Sequence, residues 1–230
     1  MKALVTGGCR GLGKTFTEEL IKRGYSVYAV YNKSVDGALE LEDEYTDKIK
    51  CIKCDIKNEE DVSKLFFNID NIDLVINNAA ISKDNNFIEK TKKEFMSVLE
   101  TNLVGNFLVT KEAIGKLNKD GIIINISSNN ALTNYNPISM DYDASKVGVN
   151  ILTKDFQIIL DSLNKNQKII SICPGWINTD SIKEMNPLFL KEELKKSNQE
   201  SLLEPNDLVN KILDNKNNYK KGDIIEIKEV

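Results

Sequence analysis

The strongest constraint on this chain is a rhythm. Short apolar runs at 2–6, 26–31, 49–54, 72–77, 121–127, 168–173 and 223–229 read as strands. Between them lie helical patterns at 12–23, 36–46, 59–69, 91–117 and 143–164, with shorter ones near 188–197 and 206–214. Runs such as "GIIINIS" are apolar at successive positions, so both faces of the strand need cover. Strands covered on both faces and regularly followed by helices predict a doubly wound α/β fold. The expected form is a seven-stranded parallel sheet with helices on both faces. No internal repeat or low-complexity linker interrupts the 230 residues, so a single domain over 1–230 is expected.

Composition narrows the function classes. The chain carries 31 basic and 35 acidic residues, net −4, and its lysines are interleaved with acids as in "KEELKKSNQE". That pattern is no footprint for nucleic acid. No apolar stretch approaches the ~20 residues of a membrane span. The opening "MKALVTGG" has no apolar leader core, so a cytoplasmic protein without a membrane partner is expected. Cys51 and Cys54 have the C-x-x-C spacing of a metal knuckle, but residues three apart on a strand face opposite ways. With no histidine in the chain, no metal is expected, and the cysteines read as small apolar filler.

"TGGCRGLG" follows the first strand and opens the first helix, with glycines at 7, 11 and 13. Such glycines permit positive φ and let backbone N–H groups approach a pyrophosphate. Glycine-rich turns also occur as plain helix caps; a strand before and a helix after favour a dinucleotide site. The second strand ends in Tyr31, Asn32 and Lys33, with no acid before Asp36. A carboxylate there would bond the 2′-hydroxyl of NAD. Lys33, with Arg10 in the glycine turn, instead suits the extra phosphate of NADP. Asp55 after the third strand and "NNAA" (77–80) after the fourth fall at the same sheet edge, where open α/β sheets bind ligands.

"YDASK" places Tyr142 and Lys146 four apart, hence on one face of a helix. By itself this is most often a solvated pair. The rest of the chain changes the reading, because it resembles the short-chain dehydrogenase/reductase family. The matching pieces are "TGGCRGLG", "CDI", "NNAA", "TNLVGNF", "NISS", "YDASK" and "PGWINT", in the family's order across residues 6 to 179. A resemblance to the 3-oxoacyl-acyl-carrier-protein reductase branch is weaker.

The resemblance implies a catalytic set of Asn102, Ser128, Tyr142 and Lys146. Tyr142 would protonate the carbonyl oxygen during hydride delivery, with Ser128 holding that oxygen. Lys146 would favour the phenolate by roughly 1–3 pK units and bond the nicotinamide ribose. Asn102 would position a water for proton resupply, and Ser127 would be structural. The implied NADP(H) surface begins with Thr6, Gly7, Arg10, Gly11, Leu12 and Gly13. It continues through Asn32, Lys33, Asp55, Ile56, Asn77 and Ala79 to Tyr142 and Lys146, then Pro174, Gly175, Ile177 and Thr179. NAD(H) is the less favoured cofactor.

Two departures from the family stand out. Ala80 occupies a glycine position, and the C-terminus lacks an Asp-Gly-Gly ending. The segment 180–205 is read either as a substrate lid or as a plain amphipathic helix. The activity implied is NADPH-dependent reduction of a small carbonyl or acyl-thioester substrate. Alternatives are an NAD-dependent alcohol, sugar or steroid dehydrogenase, or a non-catalytic dinucleotide sensor. Helices 91–117 and 143–164 carry apolar residues on more than one face, among them Phe107, Val147, Ile151 and Ile159. The excess predicts a homo-oligomer, a dimer or tetramer.

Overall fold

The computed structural model describes residues 1–163, 165–183 and 185–230. Seven strands form one sheet: β1 Lys2–Thr6, β2 Ser26–Tyr31, β3 Ile49–Lys53, β4 Ile72–Asn77, β5 Leu117–Ile126, β6 Lys168–Pro174 and β7 Ile224–Ile227. Their order is β3-β2-β1-β4-β5-β6-β7, and every neighbouring pair is parallel. The helices are α1 Gly11–Lys22, α2 Val35–Tyr45, α3 Glu59–Phe67, α4 Lys92–Leu99, α5 Gly105–Lys116, α6 Met140–Ser162, α7 Asp180–Lys183, α8 Pro187–Lys196 and α9 Pro205–Asn215. The chain leaves β1 toward β2 and returns to β4 on the other side, which opens a crevice at the C-terminal ends of β1 and β4.

The alternation of side chains builds two cores. Ala3 and Val5 of β1, with Ile122, Ile124 and Ile126 of β5, pack under α1, α2 and α9 against Phe16, Leu41 and Ile212. Leu4 and Ile123, one residue out of phase, pack under α3, α5 and α6 against Phe66, Val109 and Leu160. Cys51 joins the first core and Cys54 the second, as the opposite faces of a strand require.

The predicted helix over 91–117 is interrupted by a π-helical turn at Glu100–Val104. Its start is fixed by a reciprocal cap, in which Glu94 N–H donates to Thr91 Oγ1 and Thr91 N–H to Glu94 Oε2. Gly105 follows the π turn because a Cβ there would lie 2.8 Å from the Ile56 side chain. Among the described residues, no helix is long and apolar enough to cross a membrane.

Candidate active site

The turn after β1 is shaped by its glycines. Gly7 has φ +64 and Gly11 φ +49, conformations that disfavour a side chain. A Cβ at Gly13 would lie 1.9 Å from the Gly7 carbonyl oxygen, so the start of α1 closes on the turn only with glycine there. Thr6 ties this turn to the next edge: its Oγ1 accepts the N–H groups of Asn78 at 3.0 Å and Ala79 at 3.1 Å. Asn78 Nδ2 donates back to the Thr6 carbonyl at 3.1 Å.

Of the two asparagines, Asn78 therefore joins the turns, while Asn77 points into the core. Asn77 Nδ2 donates to Thr110 Oγ1 at 3.0 Å and Asn125 Oδ1 at 2.9 Å. Strand alternation was the signal that could have separated them. Ala80 is not among the residues of positive φ, so its backbone makes no demand for glycine.

Arg10 and Lys33 are exposed, and among the described residues neither forms an ion pair. Asn32, Lys53 and Asp55 line a groove of about 430 Å³. Asp55 pairs with Lys57 at 2.9 Å, and Ile56 is buried against α5. Leu12 packs at the edge of the first core.

At the end of β6, the Pro174–Gly175–Trp176 turn is held by Gln199. Its Oε1 accepts the Trp176 N–H at 2.7 Å, and its Nε2 donates to the Trp176 carbonyl at 2.8 Å. Ile177 bridges to Leu203, and the Thr179 N–H donates to the Ile177 carbonyl at 2.8 Å. The segment 180–205 is mostly helical, in α7 and α8, and Glu184 within it lies outside the described residues.

Ser128, Tyr142 and Lys146 converge at the end of β5. Ser127 and Ser128 diverge as neighbours on a strand do. Ser127 Oγ donates to the Lys146 carbonyl at 3.0 Å, while the Ser128 hydroxyl faces the other way, between Asn129 Oδ1 at 3.5 Å and the Tyr142 phenol. Tyr142 is half-buried, and its hydroxyl end is densely packed. Desolvation pushes the phenol up to about 12, opposed by the Ser128 hydrogen bond. Lys146 is buried, and burial brings its ammonium down to about 8. Its Nζ donates to the Ile126 carbonyl at 2.7 Å and lies 5.4 Å from the centroid of the Tyr142 ring.

The lowering of the Tyr142 pKa expected from Lys146 is thus corrected. Desolvation of the phenol is the largest influence on it, and the Lys146 ammonium is hydrogen-bonded to the Ile126 carbonyl. Asn102 sits inside the π turn, is buried, and grips the backbone after β4. Its Oδ1 accepts the Ile81 N–H at 2.8 Å, and its Nδ2 donates to the Ile81 carbonyl and to Ser145 Oγ. The extra residue of a π turn is a recurrent device for aiming one side chain inward.

Residues 1–188 match the family model of short chain dehydrogenases. The chain belongs to that family of oxidoreductases and lies near its 3-oxoacyl-acyl-carrier-protein reductase branch. It is 31% identical over 209 residues to the 3-oxoacyl-[acyl-carrier-protein] reductase FabG of Aquifex aeolicus, covering 87% of this chain and 81% of that one. The Rickettsia bellii protein of the same name is 32% identical over 189 residues, covering 80% and 76%. A dehydrogenase/reductase from Sinorhizobium meliloti superposes with TM-score 0.89 at 23% identity, over 98% of this chain and 92% of that one, a likeness of fold.

A nicotinamide dinucleotide fits the residues present. Unlike α3 and α4, α1 has no side chain capping its N-terminus, and no atom lies within 4 Å of a Cβ built on Gly11. Backbone N–H groups and open space are what a pyrophosphate needs there.

Proposed function

We propose that the protein is an NADPH-dependent carbonyl reductase acting on a 3-oxoacyl thioester or a similar small ketone. The observation that carries this reading is the convergence of Ser128, the Tyr142 phenol and Lys146, whose ammonium lies 5.4 Å from the centroid of the Tyr142 ring. NADPH, when bound, supplies the hydride. Thr6, Gly7 and Gly11 to Gly13 would hold its pyrophosphate, and Arg10, Asn32, Lys33, Asp55 and Ile56 the adenosine end with its 2′-phosphate. Asn77 and Ala79 would contribute backbone, and Pro174, Gly175, Ile177 and Thr179 would border the nicotinamide.

Ser128 holds the substrate oxygen against Tyr142, and Tyr142 gives its proton to that oxygen. A phenol that stays protonated to about 12 is present as the acid throughout the neutral range. Lys146 would bond the nicotinamide ribose and hold its charge beside the Tyr142 ring. Asn102, fixed by Ile81, holds the helix that carries both in place. The preference for the phosphorylated cofactor rests on Arg10 and Lys33, exposed cations at the sites expected for its 2′-phosphate.

The segment 180–205, joined to the nicotinamide edge by Gln199, would close over the substrate. The working form is a homo-oligomer, a tetramer by preference. Phe107, Val147 and Ile151 are 39%, 41% and 56% exposed along the adjoining faces of α5 and α6. Phe107 and Ile151 border an apolar hollow of about 420 Å³ with Leu103 and Leu152. Four free cysteines are consistent with work in the cytoplasm.

The test is an NADPH-oxidation screen over acetoacetyl thioesters, diketones, quinones and simple aldehydes. Consumption with an acetoacetyl thioester supports the reading. Activity confined to NAD-linked alcohol oxidation, or none with any carbonyl, refutes it.

A further inference from the structure

Tyr142 stands between two buried aspartates, and each holds a different loop. Successive helix residues are about 100° apart, so Asp141 and Asp143 flank the tyrosine on its two sides. Asp143 Oδ1 accepts Asn130 Nδ2 at 2.7 Å, and its Oδ2 accepts the Asn136 N–H at 2.7 Å. The Asn130 N–H donates in turn to Ser128 Oγ at 3.2 Å. A closed circuit results, running from Tyr142 along the chain to Asp143, across to Asn130, on to Ser128, and back through the Ser128 hydroxyl to the phenol. Ser128 Oγ accepts from the Asn130 N–H, and its own proton lies between Asn129 Oδ1, at 3.5 Å, and the Tyr142 phenol.

Asp141 does the corresponding work on the other side. Its Oδ1 accepts the Tyr142 N–H at 3.0 Å, and its Oδ2 takes the Lys90 ammonium at 2.8 Å. The pair is almost fully enclosed, with side-chain exposures of 3% for Lys90 and 0% for Asp141. Lys90 also donates to the Lys83 carbonyl at 2.5 Å, so both limbs of the loop between β4 and α4 are tied to the residue beside the tyrosine. The two loops meet where the Asn85 N–H donates to the Ile138 carbonyl at 3.3 Å. A buried ion pair adds little net stability over apolar filling, whereas it does fix a direction.

We infer that Asp141, held by Lys90, and Asp143, held by Asn130 and Asn136, are positioning residues. They lock the loops on either side of the cleft to α6 and set the phenol against Ser128. The inference rests on the reading of Tyr142 as the acid.

The test compares Asp143→Ala, Asp143→Asn, Lys90→Met and the double variant Lys90→Met/Asp141→Asn with wild type, using NADPH and an acetoacetyl thioester. Asp143→Ala should lose 10- to 100-fold in kcat while NADPH affinity stays within twofold. Asp143→Asn keeps one acceptor and should recover part of the loss. Lys90→Met leaves a buried carboxylate alone and should lower the thermal midpoint. The double variant removes both charges of this pair and should recover that midpoint but not kcat. Hydrogen exchange should quicken at least tenfold in 82–90 and 129–139 of these variants while the strands stay protected, a readout that needs no turnover.

Wild-type kcat in Asp143→Ala or in the double variant overturns the inference, as does unchanged exchange in both loops. Tyr142→Phe is run alongside. If it keeps near-native turnover, the acid reading has failed. If it is inactive while the aspartate variants are not, only the positioning inference has.

Discussion

The Lys146 ammonium lies 5.4 Å from the centroid of the Tyr142 ring, yet its hydrogen bond goes to the Ile126 carbonyl at 2.7 Å. Cation and phenol meet at the ring face rather than through a hydrogen bond. Burial drives both toward their neutral forms, the tyrosine up to about 12 and the lysine down to about 8.

The alkaline limb of carbonyl reduction should therefore belong to Lys146. The phenol keeps its proton well past pH 8, so the cation is the group lost first as pH rises through about 8. A profile of kcat against pH should fall there, and Lys146→Arg, if it turns over, should carry the limb to higher pH. A limb that stays in place in Lys146→Arg excludes the lysine as its source.

The same shift makes a stability prediction of definite sign. Lys146 keeps its proton to about 10.5 when unfolded but releases it near 8 when folded. Between those values the unfolded chain binds more protons, so this residue's contribution to stability rises with pH across the window. Below it, the folded protein carries the full cost of a buried cation. Thermal midpoints of wild type and Lys146→Met, taken at pH 7 and pH 10, should converge or cross toward the higher pH. A constant gap contradicts the shift.

The two serines should separate cleanly. Ser128→Ala removes the hydroxyl bonded to Tyr142 and should lower turnover with little effect on cofactor affinity. Ser127→Ala removes a bond to a helix carbonyl and should be mild. Tyr142→Phe should cost the ~10²–10⁴ of a general acid with cofactor binding nearly intact. Steady-state kinetics beside fluorescence titration of NADPH tests all three, and equal losses for the two serines would contradict the assignment.

Lys33→Glu should weaken NADPH by about 1–3 kcal/mol, the scale of a charge-assisted contact, and leave NADH almost unchanged. Titrating both cofactors by fluorescence decides it. Equal affinities in wild type, or tighter NADH, remove the case for the phosphate.

Ile151→Glu should dissociate the oligomer without unfolding the protomer. Ile151 is 56% exposed, whereas its neighbours Val149 and Leu160 are already buried at 1% and 0%. Light scattering at micromolar concentration should show an oligomer for wild type and a smaller species for the variant. A strictly monomeric wild type contradicts the proposal.

The sequence by itself determined the seven strands, the parallel class of the sheet, and the edge at which its polar residues collect. These follow from periodicity, because a strand apolar on both faces must be covered on both faces wherever it lies. It also determined that Ser127 and Ser128 diverge and that Tyr142 and Lys146 share a helix face, both consequences of local geometry. Only the tertiary structure decided that a π turn directs Asn102 to Ile81. Packing likewise decided that Lys90 finds Asp141 at a separation of 51 residues. It decided the sense of the shift at Tyr142 as well. Sequence spacing shows a cation nearby, but the depth of burial around a hydroxyl is set by loops and strands far away in the chain, and here that desolvation is the larger effect.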